Sequence, residues 1–82
     1  MINLEYLFNE FVKDVKMGRE IEFTYNKNMY FVTHNKRGWL LIKTDDRTSQ
    51  CFDCSESLIK NAKIGSEYLI ELWDEIKLDT VY

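Results

Sequence analysis

Proline is absent from the sequence, and glycine occurs only at Gly18, Gly38 and Gly65. These absences exclude a Pro-rich linker and a Gly-rich loop that would wrap a phosphate in backbone amides. No stretch approaches the roughly eighteen apolar residues of a membrane span. The leading segment MINLEYLFNEF carries acids and lacks a basic lead before an apolar run, which is not the pattern of a signal peptide. Two cysteines without an export signal fit a reducing compartment, so the expected location is the cytoplasm. Cations are also in short supply. A formal net charge of −3 argues against sequence-independent nucleic-acid binding, which needs a basic track to displace counterions. It argues equally against anionic membrane surfaces.

What the chain does hold is core-forming material. Of its 82 residues, 45% are hydrophobic and 15% aromatic, so a single folded domain over residues 1–82 is expected. A domain of this size supports one core and leaves little room for a deep enzyme cleft. Through Gly38 the bases and acids nearly cancel, six against five. From Trp39 onward nine acids face five bases, with Glu67, Glu71, Asp74, Glu75 and Asp79 crowded near the end.

Hydrophobic spacing divides the chain into three parts. Asn3 can cap a first helix, and Leu4, Leu7, Phe8, Phe11, Val12 and Val15 then fall on one helical stripe. Gly18 supplies a left-handed stop. Next, Ile21, Phe23 and Tyr25 alternate with polar residues at the period of a strand. MYFVTHN and WLLIKT follow as two further strands, and Gln50-Cys51-Phe52 as a short fourth. Asp53 and Glu56 form a capping-box pattern before a short helix through Leu58, Ile59 and Ala62. Ser66 recaps a last helix with Leu69, Leu72, Trp73 and Ile76 on its buried stripe, and Lys77 to Tyr82 favours a terminal edge strand. The fold class expected is α+β: an N-terminal helix, a three- to four-stranded antiparallel meander, two C-terminal helices and that edge strand.

A three-residue loop, Asn26-Lys27-Asn28, would set Tyr25 opposite Met29 and place Phe31 and Thr33 on the inner face. Pairing His34 with Trp39 then puts Tyr30, Val32, Trp39 and Leu41 together on the outer face. Both faces of the meander therefore carry apolar side chains and both need covering. If the helices cover only one, Tyr30, Val32, Trp39 and Leu41 are the expected partner contacts. Trp39 has a second reading as a residue packed under a helix, whereas Trp73 belongs to the core. Glu71, Asp74 and Glu75 are the charged alternative, an acidic strip that would face a basic partner. Its bland counterpart is a solvated helix face.

Catalytic groupings are weak. Cys51-Phe-Asp-Cys54 is a C-x-x-C at a strand-to-helix junction, where a helix terminus can lower a thiol pKa. Asp53 between the thiols opposes the thiolate, and the βαβ unit and turn proline of thioredoxin-like sites are absent. A structural zinc needs four ligands, and only His34 and an acid could complete the set. Buried free thiols are the simpler expectation. His34 flanks a turn and has no serine or cysteine nucleophile at a recognisable spacing. Lys36-Arg37 beside Trp39 is too short a basic track for single-stranded nucleic acid. No enzyme activity, cofactor or metal is expected.

The strings EIEFTYN, YFVTHN, GWLLIKT and FDCSESLIKNAKIGSEYLIELWDEI resemble a group of small uncharacterised proteins of Gram-positive bacteria, their phages and mobile elements. The layout of a helix, a three-stranded antiparallel sheet and further helices also resembles phage-encoded inhibitors of type II CRISPR nucleases (anti-CRISPR proteins). That second resemblance implies an inhibitor occupying a basic, DNA-reading surface of a host protein, with Glu67, Glu71, Asp74 and Glu75 standing in for phosphates. The chain is less acidic than that pattern. The function expected is a non-catalytic protein-binding module. The alternatives are a homodimeric structural domain and a thiol-redox or zinc protein using Cys51 and Cys54.

Overall fold

The computed structural model describes residues 6–82. The expected cap at Asn3 and the stripe position Leu4 lie outside that range. Helix α1 spans Phe8–Lys16 and ends as its spacing predicts, with Gly18 in the left-handed region at φ 86°. The Arg19 N–H returns to the Asp14 carbonyl across that stop. Strands β1 (Ile21–Tyr25), β2 (Asn28–Asn35), β3 (Gly38–Lys43) and β4 (Thr48–Phe52) form the meander. Helix α2 (Ser55–Asn61) follows, then a small hairpin of β5 (Lys63–Ile64) and β6 (Glu67–Tyr68). A one-turn helix α3 (Leu69–Leu72) runs into a 3-10 turn at Trp73–Glu75, and β7 (Lys77–Val81) closes the chain. The main sheet is antiparallel throughout in the order β4-β3-β2-β1-β7. The fold is α+β, and the terminal segment pairs with β1 at the sheet edge as its composition suggests.

Two local expectations near the second half are corrected. The last helix is shortened because Gly65, at φ 67°, turns the chain into the β5–β6 hairpin before α3 begins. At α2 the N-cap is Cys54, with no side-chain capping bond, so Asp53 and Glu56 do not form the capping box. The hairpin is fastened to the sheet by Gln50. Its Nε2 donates to the Lys63 carbonyl at 2.6 Å and its Oε1 accepts from the Lys63 N–H at 3.1 Å.

The first hairpin carries the decisive correction. Asn26 and Lys27 both have positive φ, 51° and 68°, which closes a two-residue turn whose twist matches the flanking strands. Asn28 therefore joins β2 and pairs with Tyr25, while Ile21 faces Val32 and Phe23 faces Tyr30. Against a three-residue loop this is a slip of one residue, and the side-chain period of two turns it into an exchange of faces. The β2–β3 register matches expectation, with His34 opposite Trp39 and Val32 opposite Leu41. Lys27 holds a conformation that costs an L-residue about 1 kcal/mol or more. Lys27→Gly is expected to raise stability by roughly 0.5–1 kcal/mol, read from the urea midpoint. An unchanged or lower midpoint would contradict the two-residue turn.

One core results. Phe11 and Val15 of α1, Leu58 and Ala62 around α2, and Leu69 and Trp73 bury themselves against Ile21, Phe23, Tyr30, Val32 and Leu41. All of those strand residues lie on one face. Both helical layers therefore cover the same side of the sheet.

Candidate functional site

The other face of the sheet is the candidate site. Cross-strand partners share a face, so the register assembles it without ambiguity. Glu22 lies beside Phe31 and Phe31 beside Ile42, while Leu40 sits between Thr33 and Cys51. Met29 pairs with Thr24 on the same side. Phe31, Leu40 and Ile42 are half-buried, and Met29 is 41% exposed. None of these four joins the core cluster. The Tyr82 ring lies edge-on against Phe31, with centroids 6.0 Å apart.

Acids flank this stripe on the β1 side. Glu20 Oε2 accepts from the Thr33 hydroxyl at 2.7 Å, which fixes the carboxylate beside Leu40's neighbour. Thr24 Oγ1 donates to Asp79 at 2.7 Å across to β7. Among the described residues, Glu20, Glu22 and Asp79 have no cation within ion-pair distance; the two ion pairs formed are Arg19–Asp14 and Lys43–Asp46. The face is thus an apolar centre with an unneutralised acidic margin.

The residues named from sequence fall elsewhere. Tyr30, Val32 and Leu41 are core residues, at 6%, 0% and 1% exposure, so their outer-face placement is corrected. The cause is the one-residue slip in the β1–β2 turn, which brings them under the helices with Ile21 and Phe23. Trp39 is half-buried, meets the His34 ring at a tilt of 41° with centroids 4.5 Å apart, and packs against the core. Of its two readings, the packed one holds. Trp73 is buried as expected.

Glu71, Asp74 and Glu75 are exposed, but no long helix aligns them. Glu71 Oε1 accepts from the Tyr68 N–H at 2.8 Å and is spent on capping α3. Cys51 and Cys54 are both exposed free thiols, which corrects the expectation of buried ones. A strand edge and a helix N-cap, unlike a strand centre, leave their side chains in solvent. Cys51 shares the outer face with Leu40, whereas His34 is on the helix side beside Trp39. The sheet itself separates them as metal ligands. His34 Nε2 lies 2.9 Å from the Gly18 carbonyl, placed to donate to it.

Shifted titrations mark structural contacts away from this face. Burial, and then its hydrogen bond to Asp14, push the Tyr6 phenol above its ordinary value. Burial raises Tyr30, and nearby Asp46 adds to the effect. The Thr48 hydroxyl and then its N–H hold the Asp46 carboxyl below the usual range, as expected for a turn acid that accepts two bonds.

Phe31, Leu40, Ile42 and Met29 were not placed on the open face because strand alternation alone cannot say which face is covered. The signal that would have found them is the Asn26-Lys27 pair, read as a two-residue turn. Among the described residues, no helix is long and apolar enough to cross a membrane. Compared with known proteins, no family model, curated protein or solved structure was found to match the chain.

Proposed function

We propose that the protein is a non-catalytic binding module whose open sheet face docks a protein partner. The observation that carries this reading is that, among the described residues, the helical layers lie on one side of the sheet and none covers Met29, Phe31, Leu40 and Ile42 on the other. Apolar side chains grouped on a rigid sheet gain free energy when a partner removes them from water, at about 25 cal/mol per Å². Glu20 and Glu22 beside them select the partner's margin. It carries lysine or arginine around an apolar anchor, because basic groups meet the acids while acidic ones are repelled. An inhibitor that occupies a basic, nucleic-acid-reading surface of a host protein belongs to this class. In that case the contacts come from the sheet face and its glutamates in place of Glu71, Asp74 and Glu75.

The test is comparative capture from native lysate, followed by binding of the purified partner. Phe31→Ser with Ile42→Ser is expected to abolish binding. Glu20→Lys with Glu22→Lys is expected to weaken it about tenfold or more and to reduce its salt dependence. Reversing Glu71, Asp74 and Glu75 together should leave it unchanged. Binding that survives the face variants and is lost with the last set would overturn the proposal.

A further inference from the structure

The sheet has two edges, and they are not alike. At β7 the pairing with β1 shifts register between Glu22 and Phe23, a bulge that adds an extra residue, and the strand carries Lys77 and Asp79. Bulges and charges are the devices that keep an edge from pairing with other chains. At the opposite edge, β4 (Thr48–Phe52) pairs with β3 in unbroken register. Its sequence TSQCF contains no charge and no proline, and none of those edge-protecting devices interrupts it. Its polar side chain Gln50 points to the helix side and is occupied by Lys63, so it does not guard the edge.

The charges that bracket β4 are complementary about its centre. Arg47 precedes the strand and Asp53 follows it, each three residues from Gln50. Both are exposed, and among the described residues neither has an ion-pair partner. An antiparallel pairing of β4 with itself, centred on Gln50, sets Thr48 opposite Phe52 and Ser49 opposite Cys51. It also brings Arg47, in the turn before the strand at φ 61°, and Asp53, just past the strand, to the same end of the pairing on each side. The same surface then serves both copies, as a two-fold interface requires.

We propose that a second copy of this chain occupies the β4 edge in that register, joining two five-stranded sheets into one of ten strands. Ser49 and Cys51 lie on the outer face, because they pair with Ile42 and Leu40. The two open apolar faces therefore come side by side on one surface of the joined sheet. This pairing is independent of what docks on that face. It uses the strand edge, and its failure leaves the face proposal standing.

Sedimentation velocity over a concentration series reads the outcome. The unaltered chain is expected to shift from monomer to dimer. Arg47→Asp and Asp53→Arg are each expected to weaken dimerisation about tenfold, since each puts like charges together at both ends. The two substitutions in one chain restore the pairs and the dimer. A second readout does not depend on charge. In a Cys54→Ser background, Ser49→Cys is expected to cross-link rapidly to Cys51 of the second copy when oxidised glutathione is added, as directly opposed positions allow. A chain that stays monomeric at high concentration overturns the proposal. So does a dimer that ignores both charge reversals, or one that is lost instead with Phe31→Ser and Ile42→Ser.

Discussion

Trp73→Ala is expected to cost about 3–5 kcal/mol, the range for deleting a large buried aromatic. Trp73 is the hub of the core. Its ring centroid lies 4.5 Å from that of Phe11, 5.3 Å from Phe8, 5.9 Å from Phe23 and 6.2 Å from Tyr6. Those rings come from α1, from the segment before it and from β1, so one side chain ties the carboxy-terminal turn to all three. The indole is also anchored: Nε1 donates to the Tyr6 carbonyl at 2.7 Å. A domain of this length has a total stability on the order of 4–12 kcal/mol, so the loss removes much of it. Trp73→Phe keeps a ring in the cluster and gives up the hydrogen bond, at about 1–2 kcal/mol. Urea unfolding followed by the fluorescence of Trp39 separates the two. An alanine variant within about 1 kcal/mol of the original would refute the hub.

Gly38→Ala is the second large effect, and its cause is backbone and not packing. Gly38 starts β3 at φ 140°, in the region that L side chains rarely adopt. An added Cβ would lie 2.1 Å from the Phe52 carbonyl oxygen and 3.2 Å from its carbon. Those atoms belong to the backbone of β4 and cannot rotate away. The strands must part or the turn must reshape, at a cost on the order of 2–4 kcal/mol. Gly18 provides the control. It too has positive φ, 86°, but a Cβ there meets nothing within 4 Å. Gly18→Ala is expected to cost about 1 kcal/mol, from conformation alone. Equal losses at the two positions would mean that the close approach at Gly38 is not the controlling contact. Because β4 is also the proposed pairing edge, Gly38→Ala should weaken self-association along with stability.

Much of the architecture was legible because it rests on local periodicity. The stripe of Phe8, Phe11, Val12 and Val15 forms α1, Gly18 ends it, and the alternation of Ile21, Phe23 and Tyr25 forms β1. The β2–β3 pairing followed from the turn between His34 and Trp39. The last helix was not legible, because the Leu69, Leu72, Trp73 and Ile76 spacing suits a longer helix than the Gly65 turn leaves room for. The residues of the outer face were misplaced for a single reason: two or three residues in the first turn are both compatible with the composition Asn-Lys-Asn.

By itself the amino-acid sequence determined that this is a small α+β fold with apolar side chains on both faces of its meander. Periodicity and composition act locally, and they suffice for that. Only the tertiary structure decided which face is the core. The positive φ values at Asn26 and Lys27 shortened the turn, brought Tyr30, Val32 and Leu41 beneath the helices, and left Phe31, Leu40 and Ile42 open beside Glu20 and Glu22. Face identity depends on register, and register depends on a turn whose geometry is fixed by the strands it joins.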